Sequence, residues 1–74
     1  METVYSVSRE FDSIDGQRVI SVAANGGTVA IQVRHGTGNW ITVETFSADT
    51  AKVLDFGYNR VYKFVVTGAA TYAI

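Results

Sequence analysis

Residues 28–46 read Thr28-Val29-Ala30-Ile31-Gln32-Val33-Arg34-His35-Gly36-Thr37-Gly38-Asn39-Trp40-Ile41-Thr42-Val43-Glu44-Thr45-Phe46. Two runs of period two flank a glycine-bearing loop. Val29, Ile31 and Val33 alternate with Ala30, Gln32 and Arg34; Ile41, Val43 and Thr45 alternate with Thr42, Glu44 and Phe46. Successive side chains of a strand point to opposite faces, so β-branched and aromatic residues in this rhythm predict two half-buried strands. His35-Gly36-Thr37-Gly38-Asn39 then reads as the hairpin loop between them. If Ile41 and Val43 turn inward, Trp40 and Phe46 point outward at the two ends of their strand.

The same period extends in both directions. Tyr62, Phe64 and Val66 alternate with Lys63, Val65 and Thr67. Glycine falls between the runs: Asp15-Gly16 and Asn25-Gly26 are two-residue hairpin signals, since a type I′ turn needs positive φ at both central positions. Phe56-Gly57-Tyr58-Asn59 and Thr67-Gly68-Ala69 read as further turns. Strands are expected over 3–11, 17–24, 28–34, 40–46, 51–55, 60–67 and 70–74. The best helical stretch, 47–55, is poor helix material with Thr50 and Val53 inside it. The expected fold is therefore all-β, a small antiparallel sandwich or barrel of about seven short strands, mostly hairpin-linked, in a single domain spanning residues 1–74.

A chain of 74 residues buries only roughly 60% of the surface that its unfolded form exposes. Small domains usually compensate with a disulfide, a metal or oligomerisation. With no Cys and one His, the chain offers neither disulfide nor thiolate or multi-histidine metal site, and no cofactor is expected. Oligomerisation and good packing remain. Hydrophobic residues make up 47% of the sequence, a high share for so much surface, which points to a protein partner. Six basic residues stand against seven acidic ones, so no basic face is available to displace counterions from phosphates, and strong nucleic-acid binding is not expected. No apolar run approaches the ~20 residues of a membrane span. Met1-Glu2-Thr3-Val4-Tyr5 lacks the features of a signal peptide, which implies a protein made in a cytoplasm.

The residues offer little catalytic chemistry. His35 lies in a solvated loop and no Gly-x-Ser-x-Gly elbow is present, so a Ser–His–Asp site has no scaffold. Glu44 and Asp55 fall on different strands with nothing to fix their separation. Asp12, Asp15, Asp49 and Asp55 all adjoin turns, where Asp commonly bonds nearby backbone. Asn25-Gly26-Gly27 leads into a strand, not into the helix that a phosphate loop needs. No enzymatic role is expected.

The aromatic residues say more. The 60–67 strand is apolar on both faces, with Tyr62, Phe64 and Val66 on one and Val61 and Val65 beside Lys63 on the other. Such a strand is either central and covered twice or lies at an interface. The run Ala70-Thr71-Tyr72-Ala73-Ile74 is apolar and needs a neighbour, in its own sheet or in another chain. Trp40, Tyr62, Phe64, Tyr72 and Ile74 are thus the candidate residues of core or contact surface, with Trp as a recurrent interface anchor. Two alternatives use the aromatics otherwise: a sugar-binding module with Trp40 or Tyr58 stacked on a ring, and a single-strand nucleic-acid binder on Trp40, Phe46 and Tyr58.

Gly38-Asn39-Trp40-Ile41-Thr42-Val43-Glu44-Thr45-Phe46 and Arg60-Val61-Tyr62-Lys63-Phe64-Val65-Val66-Thr67-Gly68-Ala69-Ala70-Thr71-Tyr72 resemble the small β-rich structural proteins of tailed bacteriophages. The resemblance lies in Thr-, Val- and Ala-rich strands without Cys, and no diagnostic motif assigns a role to any residue. It implies a virion component, such as a capsid decoration protein, a head–tail connector element or a tail accessory protein, assembled in the host cytoplasm. Its partners would be other virion proteins or copies of itself in a repeated assembly, where many bound copies let avidity replace large individual interfaces.

Overall fold

The computed structural model describes residues 3–12, 14–36, 38–58 and 60–74. Thr37 and Asn59, which fall in two of the expected turns, and Met1, Glu2 and Ser13 lie outside the described residues. Among the described residues eight strands form: β1 (Val4–Tyr5), β2 (Arg9–Phe11), β3 (Gln17–Ala23), β4 (Thr28–Arg34), β5 (Trp40–Phe46), β6 (Thr50–Asp55), β7 (Tyr62–Thr67) and β8 (Thr71–Ala73). No helix occurs among the described residues, and 50–55, inside the best helical stretch, is the strand β6. Two antiparallel four-stranded sheets result, ordered β1-β8-β3-β6 and β2-β7-β4-β5.

The two orders match position by position. Each strand of the first sheet is the chain neighbour of the strand at the same place in the second: β1 with β2, β8 with β7, β3 with β4, β6 with β5. The molecule is therefore a four-stranded antiparallel sheet folded over a single crease. The crease runs through residues 6–8, 68–70, 24–27 and 47–49. Among the described strands only β4 and β5 are consecutive in the chain and paired within one sheet.

This architecture corrects two expectations and decides a third point. The 3–11 strand is two short strands, broken at Ser6-Val7-Ser8 where the chain changes sheet. Asn25-Gly26 does form a turn with positive φ at both positions (49° and 84°), closed by the Gly27 N–H on the Ala24 carbonyl at 2.7 Å. Yet the strands it joins belong to different sheets, as do those joined through Asp15-Gly16. The C-terminal run finds its neighbours within its own sheet: β8 lies between β1 and β3, and β7 lies between β2 and β4.

The inward rows of both sheets form one core. Ile20, Val22 and Tyr72 from the first sheet meet Val29, Ile31, Phe46 and Phe64 from the second, and Ile14 and Phe56 join them from the connections opposite the crease. Phe64 and Tyr72 are stacked across the sandwich with centroids 4.7 Å apart, and Tyr5 continues the stack at 5.2 Å from Tyr72.

The phase of β5 differs from the expected one. Ile31 pairs with Glu44 but Gln32 pairs with Thr42, so Val43 is an extra residue, a β-bulge. A bulge resets the alternation on its strand. Phe46 therefore points inward and is buried, while Val43 is exposed and Ile41, opposite Val33 at the far end of the ladder, is half exposed. Trp40 keeps its outward place opposite Arg34.

A row of hydrogen bonds binds the crease. Ser8 Oγ accepts the Val66 N–H at 2.9 Å, and Thr67 Oγ1 accepts the Thr28 N–H at 3.0 Å and pairs with Thr28 Oγ1 at 2.7 Å. Asn25 Nδ2 donates to the Ala69 carbonyl at 3.3 Å. Asp49 Oδ1 accepts the Ala24 N–H at 2.9 Å, tying the 47–49 link to the neighbouring corner. Between them the backbones touch, and a Cβ on Gly27 would overlap the Thr67 carbonyl oxygen and lie 2.9 Å from its carbon.

Candidate functional site

Residues directly opposite in a ladder share a face, so the registers assign both outer surfaces. On the first sheet, buried Tyr72 faces Val22 and Tyr5 inward. The neighbouring rows therefore face outward: Val4, Ala73, Ser21 and Ala51 in one, Thr71 and Ala23 in the next, Val19 and Val53 in a third. These three rows contain no charged side chain, and the last outward row, Gln17 opposite Asp55, brings one carboxylate to the end of the face. Val4, Val19 and Val53 are each at least 60% exposed, well above what isolated apolar surface residues need explained away, because they share one surface. Between Val4 and Ala23 the surface sinks into a depression of about 250 Å³ whose walls include Ser21, Thr71 and Ala73. Ala73 is buried there, shaded by its larger neighbours.

The outer surface of the second sheet has the opposite character. Glu10 faces Lys63 across β2 and β7, and Gln32 and Arg34 lie on the same side. Trp40 sits half-buried among them. Lys63 Nζ lies 4.6 Å from its ring centroid and the Arg34 guanidinium 5.8 Å away, each within cation–π reach.

Both open sides of the sandwich carry charge on their inward-facing rows. Lys52, opposite Ile20, reaches across to Glu44, opposite Ile31, and donates to its Oε1 at 2.6 Å. On the other side the Arg9 guanidinium lies 5.3 Å and 5.4 Å from the Tyr5 and Phe11 rings. Inward charges on edge strands oppose the addition of further strands. The edges are thus guarded, while the outer face of the first sheet is not.

The structure divides the five candidate residues. Phe64 and Tyr72 are core, 0% and 1% exposed. Tyr62 is half-buried against the core, and its hydroxyl donates to the Phe56 carbonyl at 2.9 Å. Ile74 packs on the core edge, and its backbone pairs with Thr3 at 3.3 Å and 3.4 Å. Trp40 alone lies on an outer surface, away from the apolar one. The exposed valines went unnoticed in the sequence, although Val19-Ile20-Ser21-Val22-Ala23 is apolar on both faces in the same way as the 60–67 strand.

The polar residues take structural places. Asp55 Oδ1 accepts the Gly57 N–H at 2.9 Å, an Asx turn, whereas Asp49 serves the more distant Ala24. His35 is exposed and its backbone N–H bonds the Asn39 carbonyl at 2.8 Å. Among the described residues no group of three or more His, Asp or Glu side chains is placed to hold a metal ion. A shallow cavity of about 590 Å³ opposite the crease is lined by Asp55, Phe56, Tyr58, Arg60 and Tyr62, with Tyr58 76% exposed beside it. No protein-family model matches the chain, and neither a curated protein nor a solved structure is significantly similar to it.

Proposed function

We propose that this chain is a non-enzymatic structural protein that works by packing against other protein subunits, and that it is a bacteriophage virion component of the capsid decoration or cement type. The observation that carries the packing role is the apolar patch on the outer face of the first sheet, where Val4, Val19 and Val53 are exposed together. A domain this small has little reason to leave such a surface in water. The virion assignment rests on the strand texture of residues 38–46 and 60–72. In this reading the partners are other virion proteins or further copies, and assembly takes place in the host cytoplasm. The test is quantitative mass spectrometry of density-purified virions from a culture that makes the protein. The chain should be present at a fixed copy number per particle, and Val53→Glu should remove it. Its absence from intact virions would overturn the assignment.

The cavity beside Tyr58 supports a second reading, a carbohydrate-binding module of a tail structure. An exposed aromatic ring next to Asp55 and Arg60 combines a stacking surface with polar groups for hydroxyls. Trp40 is the poorer platform because cations already occupy its surroundings. Glycan-array binding that Tyr58→Ala abolishes and Val53→Glu leaves intact would favour this reading over packing.

A further inference from the structure

We infer that the end of the sandwich opposite the crease takes an acidic saccharide, with the sugar's carboxylate held between Arg34 and Arg60, an assignment that rests on the carbohydrate-binding reading above and names the class of sugar. Two cavities lie at this end, and Arg60 lines both. The larger, of about 590 Å³, has Asp55, Tyr58 and Tyr62 in its wall and falls within the size range of small-ligand sites. The smaller, of about 140 Å³, is lined by Arg34, Gly36, Arg60 and Val61. At ~30 Å³ for each water molecule, it has room for a carboxylate with a water beside it. The backbone sets the two arginines next to one another. Arg34 ends β4, and its N–H donates to the Val61 carbonyl at 2.9 Å, which pins the residue after Arg60 to that strand. Val33 and Arg34 are successive in β4 and so face opposite ways, which puts Val33 on the larger cavity and Arg34 on the smaller. Gly36 contributes no side chain to fill the latter.

Charge selects the ligand. Among the described residues the smaller cavity is lined by two arginines and no carboxylate. Like charges on one small cavity repel, and an anion between them reverses the sign of the interaction. A guanidinium stays protonated and presents a planar fork of N–H donors that matches the two oxygens of a carboxylate. In the larger cavity the charged acceptor is Asp55. A carboxylate has about four lone-pair sites, and the Gly57 N–H takes one of them at 2.9 Å. Sugar hydroxyls are donors suited to such a group, and the exposed Tyr58 ring offers a face to the sugar. A ligand that suits both cavities is therefore anionic at one position and rich in hydroxyls at the next. An acidic saccharide has that pattern. A nucleic acid carries a charge at every link and would bring one against Asp55, on a chain whose net charge is already −1.

The experiment is a glycan array of oligosaccharides containing uronic or sialic acid, beside the same oligosaccharides with their carboxyl groups reduced to alcohols. It is read with the wild type, Arg60→Gln, Arg60→Lys, Tyr58→Ala and Val53→Glu. The wild type and Val53→Glu should bind acidic members, and carboxyl reduction should weaken that binding by about 10-fold or more. Arg60→Gln should bring a loss of the same size with an unchanged circular dichroism spectrum. Arg60→Lys should recover only part of it, since it restores the charge without the fork. Reduced oligosaccharides that bind as well as acidic ones overturn the inference and leave the carbohydrate reading standing. So does binding that survives Arg60→Gln and is lost in Tyr58→Ala. If no oligosaccharide binds, both are overturned. Single-stranded oligothymidylate is the remaining arm: binding tighter than to any acidic oligosaccharide, and lost in Arg60→Gln, would assign the arginines to phosphate and overturn the inference as well.

Discussion

The crease and the opposite end of the sandwich use the same residue types for different physical purposes. At the β4–β5 tip, Gly36 has φ +62° and nothing within 4 Å of a would-be Cβ. Its glycine answers only its own backbone conformation. At the crease, Gly27 is required by its neighbours: a Cβ there would meet the Thr67 carbonyl and lie 3.2 Å from the Ala70 nitrogen. The tip is a local turn, and the crease is a tertiary contact in which four connections lie side by side. A turn can therefore be recognised in sequence without revealing whether it pairs two strands or folds a sheet.

Substitution separates the two regions by magnitude. The largest loss is expected from Gly27→Ala. The obstruction is backbone on both sides and cannot rotate away as a side chain would, so unfolding should become easier by more than about 3 kcal/mol. Urea denaturation is the measurement, and a loss below about 1 kcal/mol would show that the crease opens cheaply. Asp49→Ala comes next. It strips the Ala24 N–H of its carboxylate partner at a site where water has limited access, and should cost about 2 kcal/mol. Thermal melts of Asp49→Ala and Asp49→Asn side by side would isolate that bond, since Asn retains an acceptor oxygen. Gly36→Ala should cost only ~1 kcal/mol, the penalty for a left-handed L-residue in open space. Equal losses for Gly27→Ala and Gly36→Ala would abolish the distinction between crease and tip.

Much of the fold was legible for one reason: period-two alternation survives wherever a strand has a wet face. Strands β4 and β5 fall where the alternation of 28–34 and 40–46 puts them. What escaped depends on contacts between segments far apart in the chain. The direction taken after Asn25-Gly26 is held by Thr67 on Thr28 and by Asp49 on Ala24, and nothing in the dipeptide announces either. The bulge at Val43 inverted the facing of Phe46, because Val43 is as good a strand residue as its neighbours and carries no glycine to mark it. The candidate surface was hidden for a related cause. An apolar residue in a strand can face the core or the outside, and only the partner row decides. Tyr72 fixes the inward row of the first sheet and thereby sends Val19 and Val53 outward.

The smallest effect at neutral pH is expected inside the core, one step in from the crease. Tyr72 stacks on Phe64 and Tyr5, and its buried hydroxyl has no hydrogen-bond partner among the described residues. Tyr72→Phe keeps the stack and removes the unsatisfied group. It should leave stability unchanged or raise it by up to about 1 kcal/mol. The same hydroxyl governs behaviour in base. Burial, reinforced by the nearby Tyr5 and partly offset by Arg9, pushes its pKa from 10.0 up to about 12. Below pH 10 the phenol is protonated in both folded and unfolded chains and adds no pH dependence. Above that, the unfolded chain ionises while the folded one holds its proton, so stability drains away as pH rises from about 10 to about 12 and levels off beyond. Urea midpoints at about pH 9 and about pH 11 should diverge for the wild type and diverge less for Tyr72→Phe. Equal alkaline losses in both proteins would show that the phenol reaches solvent in the folded state, and would place the sensitivity of the molecule at its open end.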